Sequence, residues 1–296
     1  MQFTTKTKLL LKKRLPKWLY ALIYFVSTNT ILRIKPFIFR LRTLGFTKKM
    51  AKTVKYEAGE FMLVIDPQNG YLDAQLYTSD FYERHIVAEF IANIKKGDTC
   101  IDVGANIGHH TIIMSQLTGN TGAVIAFEPI PYIREQMNES LTLNAISNVK
   151  VLPYALSDSE GPMVLHINRG NVAGSSLVNA KGSEEIAVEL RTLDALNFPK
   201  VDFMKIDVEG FEYHVLKGGV QTIEKCRPTI LLEFSPEYYQ RYAPEHSAMI
   251  IDFLRERNYK ILDLEDNRKE VNDTASFVSE FNKGLRSQTN ILALPQ

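Results

Sequence analysis

The chain has 296 residues, 45 % of them hydrophobic, which is enough for one sizeable core. Two cysteines, Cys100 and Cys226, exclude a disulfide framework, and the six histidines form no H-x-x-x-H pair; a reduced, cytoplasmic compartment is the expectation. The net charge of +1 hides an asymmetry: residues 1–56 hold fourteen Lys or Arg and no Asp or Glu, so residues 57–296 carry 21 positive against 34 negative side chains, or −13.

Residues 1–56 read as a basic, amphipathic, helical segment and residues 57–296 as the folded domain. The uncharged stretch 18–32 is fifteen residues long, short of the roughly 20 apolar residues that span a bilayer. No small-residue cleavage site follows its apolar core, as a secretory signal requires. Basic residues flanking the aromatic, leucine-rich runs 18–26 and 36–39 fit an interfacial anchor on an anionic membrane surface, at its inner face. Helices packed on the domain, with a solvated basic face, are the competing reading. No groove-reading or stacking motif accompanies the charge, so no nucleic-acid partner is expected.

Residues 61–65 and 71–77 read as a hairpin around the turn formers Asp66-Pro67-Gln68-Asn69-Gly70. Residues 81–94 read as a helix, with Ile86, Val87, Phe90 and Ile94 on one face. Gly97-Asp98 ends it. The next run is Thr99-Cys100-Ile101-Asp102-Val103-Gly104-Ala105-Asn106-Ile107-Gly108: a short apolar strand, an acid near its end, and a glycine turn into a helix. In an open α/β sheet this turn is where a nucleotide-like ligand meets the backbone. A second strand, 124–127, ends in Glu128, twenty residues after Gly108; an acid there accepts ribose hydroxyls. The dinucleotide pattern G-x-G-x-x-G is absent, since Asn106 stands between Gly104 and Gly108, and Asp102 repels phosphate. A cationic ligand such as S-adenosylmethionine suits the turn better.

Ile133, Met137 and Leu141 then mark a helix, and residues 149–152 a third strand. Strands at 164–167 and 186–190 flank a polar loop, 168–176, which is a candidate substrate loop or a solvated connection. The fourth core strand is 201–206, the fifth 229–232, followed by a helix at 249–254 and strands at 259–264 and 290–294. The alternation predicts a doubly wound, mostly parallel sheet covered on both faces. Such a sheet binds ligands beyond the carboxyl ends of its strands. Asp102, Glu128, Asp158, Asp207 and Glu233 all fall at or just after strand ends.

Asp102-Val103-Gly104-Ala105-Asn106-Ile107-Gly108, Phe127-Glu128-Pro129, Ala155-Leu156-Ser157-Asp158 and Lys205-Ile206-Asp207-Val208-Glu209-Gly210-Phe211-Glu212 occur in this order. The ordered set resembles the FkbM family of S-adenosylmethionine-dependent methyltransferases, over residues 75–295. The resemblance implies a class I methyltransferase, Rossmann-like fold with an antiparallel last strand. It also implies S-adenosylmethionine as cofactor and O-methylation of a sugar, glycan or other small hydroxyl-bearing acceptor. Asp102 and Gly104 are then expected at the methionine moiety, Glu128 at the ribose, and Ser157 and Asp158 near the adenine. Ala105, Asn106, Gly108, Pro129 and Glu83 complete the expected cofactor set. Asp207, Glu209 and Glu233 are the catalytic candidates. One serves as general base for the acceptor hydroxyl, or several bind a divalent cation that lowers its pKa; no metal motif marks such a site. His214 is a weaker base candidate, and His109 and His110 adjoin the turn. Lys205 is expected on the strand surface or paired with a carboxylate. Tyr238, Tyr239 and Tyr242 either line the acceptor pocket or cover the sheet edge. A protein or nucleic-acid acceptor is the second reading, disfavoured because Glu233-Phe234-Ser235-Pro236 differs from the N/D-P-P-Y signature. A non-catalytic, membrane-associated adenosylmethionine-binding protein is the third.

Overall fold

Every second residue of the central strands faces one of two apolar layers. The computed structural model describes residues 49–66, 71–79, 81–167, 184–239 and 243–296. Residues 1–48, most of the basic segment, lie outside the described residues, as do the loop 168–176 and Tyr242. Contacts divide the chain between Lys48 and Lys49. Among the described residues no helix is long and apolar enough to cross a membrane.

The chain begins with β1 (Met50–Tyr56), β2 (Gly59–Ile65), α1 (Tyr71–Thr78) and α2 (Arg84–Asn93). Next come β3 (Thr99–Val103), α3 (His109–Thr118), β4 (Ala123–Phe127), α4 (Pro131–Leu143) and β5 (Val149–Leu152). The strands β3, β4 and β5 pair in parallel, and β9 (Phe203–Ile206) and β10 (Thr229–Phe234) extend the parallel set on the other side of β3. The last strand, β13 (Thr289–Pro295), runs antiparallel between β10 and β11 (Tyr259–Asp263), and the two-residue β12 (Lys269–Glu270) closes that edge. The antiparallel last strand expected from the resemblance is present.

Alternation sorts the core. Cys100, Val124, Ala126, Phe203 and Leu231 belong to one apolar cluster, with residues of α1 to α4. Ile101, Val103, Ile125, Phe127, Met204 and Ile206 belong to the other, with α5 (Glu212–Lys217), α6 (Val220–Cys226), α8 (His246–Glu256) and α9 (Thr274–Asn282). The short α7 (Pro236–Tyr239) follows β10. A second sheet of three strands, β6 (Tyr154–Leu156), β8 (Glu184–Arg191) and β7 (Gly161–Ile167), follows β5 in the chain.

Two expectations are corrected. Residues 61–65 and 71–77 do not form a hairpin. β2 pairs instead with β1, Val54 opposite Phe61, and residues 71–78 are helical. The sequence signal for the helix is the four-residue spacing of Leu72 and Leu76, both buried, which suits a helix face. Asp73 beside them is buried and accepts hydrogen bonds from the Asp66 amide and Gln136 Nε2, both at 2.7 Å. The β1–β2 hairpin also crosses the boundary placed after residue 56. The helix α9 is an addition to the expected elements; its start is set by Asp273, whose carboxylate accepts from the Ser276 amide at 2.6 Å.

Candidate active site

The glycine turn after β3 is shaped by neighbouring chain. Gly104 sits at φ +78°, and a Cβ there would stand 1.9 Å from the Asp207 carbonyl oxygen. Gly108 sits at φ +86°, and a Cβ there would stand 2.5 Å from Met137 Cγ on α4. Both glycines are therefore demanded by packing between strand ends and helix, before any ligand is considered. The Gly104 and Ala105 amides donate to the Phe127 carbonyl. Asn106 is left-handed, at φ 50°, and its amide donates to Glu128 Oε2 at 2.9 Å. Glu128 Oε1 accepts from the Ile130 amide, also at 2.9 Å. The acid at the end of β4 thus ties the turn to the start of α4.

A cleft of about 320 Å³ opens beyond the carboxyl ends of β3, β4, β9 and β10, within the size range of small-molecule sites. Of the expected residues, Glu83, Gly104, Ala105, Asn106, Glu128, Pro129, Asp207, Glu209 and Glu233 line it. Tyr82, Tyr154, Phe211, Tyr238 and Gln288 add apolar and polar wall. One carboxylate oxygen each from Asp207, Glu209 and Glu233 lie within 4.8 Å of one another, close enough to hold one cation between them. Burial pushes Glu83 and Glu128 up to about 7. Burial, with Asp207 adding, pushes Glu209 up to about 8 and Glu233 well above the usual carboxylate range.

The turn that carries Asp207 and Glu209 is held from below. Glu209 is left-handed, at φ 52°, and Gly210 sits at φ 104°. The fully buried Glu212 carboxylate accepts from the Val208 and Gly210 amides at 3.1 Å and from Tyr239 Oη at 2.5 Å. Tyr239 therefore supports the turn, whereas Tyr238 lines the cleft.

Four expected cofactor residues do not reach the cleft lining. Asp102 is fully buried, accepting from Thr111 Oγ1 at 2.6 Å and facing Lys205 Nζ at 3.5 Å. Gly108 packs on Met137. Ser157 turns its backbone toward Gly218, where a Cβ would meet the Ser157 carbonyl oxygen at 1.9 Å. Asp158 pairs with His214 Nδ1 at 3.0 Å and Lys217 Nζ at 2.7 Å. Burial works upward on Asp158, yet these two partners hold it down at about 2. His214, so engaged, stands apart from the cleft. The lining takes Tyr154, Ala155 and Leu156 from that segment instead.

His109 and His110 both line the cleft, and both are buried. Burial lowers His109 to about 3 and His110 well below the usual imidazole value. His109 Nε2 meets Tyr56 Oη at 2.6 Å, which joins the β1–β2 hairpin to the turn. That contact has no signal in local sequence, because Tyr56 is 53 residues away.

A family model described as the methyltransferase FkbM domain matches residues 102–261, more than half of the chain. The chain belongs to the FkbM methyltransferase family. This FkbM chain is 29 % identical over 182 residues to methyltransferase sdnD of Sordaria araneosa, covering 50 % of this chain and 69 % of that protein. It is 31 % identical over 153 residues to the hexuronic acid methyltransferase AglP of Haloferax volcanii, covering 50 % and 61 %. A crystal structure of an FkbM methyltransferase from Methylobacillus flagellatus superposes with a TM-score of 0.44 at 17 % identity, covering 68 % of this chain and 44 % of that one. The strand order and the antiparallel last strand described above are those of the class I, S-adenosylmethionine-dependent methyltransferase fold.

Proposed function

We propose that this chain transfers a methyl group from S-adenosylmethionine to a hydroxyl of a sugar, glycan or other small acceptor. The observation that carries the reading is the acid-lined cleft, which joins the glycine turn to the Asp207, Glu209 and Glu233 cluster. The similarity to a hexuronic acid methyltransferase supports a sugar acceptor.

The donor set suits the cofactor. Each Glu128 oxygen accepts one backbone N–H and keeps a lone pair for a ribose hydroxyl. The Gly104 to Asn106 backbone meets the methionine moiety. Pro129, Ile130, Tyr154 and Leu156 supply apolar surface for the adenine. Glu83 and Asp207 add negative potential for a cationic ligand. When bound, S-adenosylmethionine supplies an electrophilic methyl group on a positively charged sulfur. Asp207 takes the proton of the acceptor hydroxyl, with Glu209 and Glu233 beside it. A divalent cation on the same three carboxylates is the second route to an acidified hydroxyl.

Calorimetry with S-adenosylmethionine, followed by transfer of labelled methyl to extracted glycans and lipid-linked sugars, tests the reading. NAD binding more tightly than S-adenosylmethionine overturns it. Glu128→Ala should weaken cofactor binding by about 10- to 100-fold, since a hydrogen bond to a charged group is worth about 1.5–3 kcal/mol. Unchanged affinity in a folded variant takes Glu128 out of the site.

We further propose that the basic N-terminal segment, with fourteen Lys or Arg and no Asp or Glu, holds the enzyme at the cytoplasmic face of a membrane, near lipid-linked glycans. Each Lys or Arg near an anionic surface contributes about 1 kcal/mol, and salt screens the effect. Full-length protein should sediment with anionic vesicles at low salt and not with neutral ones. Deleting residues 1–48, which spares β1, should abolish binding and leave the fold intact. Failure of the full chain to bind anionic vesicles refutes the anchor.

A further inference from the structure

Lys205 is a cation in the middle of a parallel sheet. On β9 the neighbours Met204 and Ile206 face one apolar layer, whereas Lys205 points with Phe203 toward the other. An unpaired ammonium at such a position costs several kcal/mol. The strand register supplies the partner, because Lys205 stands directly beside Asp102 on β3. Its Nζ lies 3.5 Å from Asp102 Oδ1 and 3.2 Å from Asp207 Oδ2. The two carboxylates differ in what else they do. Asp102 is fully buried, and its second oxygen is fixed by Thr111. The Asp207 side chain is 33 % exposed and faces the cleft.

Asp207 also stands in a crowd of like groups. Glu209 and Glu233 bring oxygens within 4.8 Å of its own. Glu83, at the start of α2, is a further acid nearby, pushed up by burial first and then by Asp207. His109 and His110, facing Lys205 from α3, are uncharged and offset nothing. The Asp207 side chain is part-exposed at the cleft, so the groups it touches set its rotamer, and Lys205, 3.2 Å away, is the cation among them.

We propose that Lys205 is a positioning residue for the Asp207 carboxylate. Asp102, itself fixed by Thr111, anchors the ammonium inside the sheet, and the ammonium holds Asp207 at the cleft beside Glu209 and Glu233. The proposal rests on the methyl-transfer reading for its kinetic consequence, and on geometry alone for its structural one.

Lys205→Met keeps chain length and removes the charge. In crystals of this variant the Asp207 carboxylate should turn toward solvent and away from Glu233. Turnover should fall about 10- to 100-fold, the scale of a 1 Å misplacement, with calorimetric affinity for S-adenosylmethionine nearly kept. In an Asp207→Asn background the same change should cost almost nothing more, because the group it positions is already disabled. An Asp207 carboxylate that stays in place in Lys205→Met, or losses that multiply in the double variant, overturns the proposal. If Lys205→Met does not fold, Lys205→Gln, which keeps a hydrogen-bond donor, is read in the same way. The crystallographic result stands whether or not the wild type transfers methyl groups, so failure of the functional reading and failure of this one are separable.

Discussion

Asp207→Asn should lower methyl transfer about 100-fold or more, the usual worth of a general base, and leave cofactor affinity nearly unchanged. The amide keeps the shape of the carboxylate but cannot take a proton. Asp207 is the member of its cluster that an ammonium contacts, so its loss should exceed that of Glu209→Gln. Single-turnover rates, measured beside calorimetric affinity, separate chemistry from binding. Full activity in both variants moves the base to Glu233. A chelator distinguishes the two routes: loss of activity on metal removal, restored by a divalent cation, assigns the three carboxylates to metal binding. Activity indifferent to chelation assigns the proton to a carboxylate directly.

Gly104→Ala should destabilise the domain by more than about 4 kcal/mol, in the exceptional range for one substitution. A non-glycine residue at positive φ costs about 1–2 kcal/mol by itself. Steric overlap costs more, because the new Cβ stands 1.9 Å from the Asp207 carbonyl oxygen and 3.2 Å from Val208 Cγ1. A backbone oxygen has no rotamer to escape into. The strands β3 and β9 are ladder neighbours, and the Asp207 amide donates to the Val103 carbonyl at 3.1 Å. They cannot part without losing those bonds. Urea titration of the variant measures the loss. A midpoint equal to wild type means the turn has another conformation open to it. Gly119→Ala is the useful contrast, since nothing lies within 4 Å of its Cβ position and only the φ cost remains.

Much of this molecule is legible in local sequence. The runs 99–103, 124–127 and 149–152 alternate or cluster apolar residues as buried strands do, and all three are strands of one parallel sheet. Gly104 and Gly108 announce a turn because positive φ is a property of single residues. The four ordered motifs point to the family without coordinates. Residues 61–77 read as a hairpin because Asp66 to Gly70 looks like a turn in isolation. Only the packing of Leu72 and Leu76, and the burial of Asp73 against Gln136, make the next segment a helix.

Which acids serve the cleft is not legible there. Asp102, Asp158, Asp207 and Glu233 are equivalent on paper, each an acid near a strand end. Strand register places Asp102 beside Lys205 inside the sheet, and α5 takes Asp158 through His214 and Lys217. Asp207 and Glu233 alone of the four reach the opening, joined there by Glu209 on its left-handed turn. Period, turn chemistry and motif order are short-range properties, so the chain states them in consecutive residues. The pairing of Asp102 with Lys205 joins two separate strands and depends on how they align. Alignment is decided by the whole packed sheet, and so the fold alone determined which carboxylates are buried in structural pairs and which line the cleft.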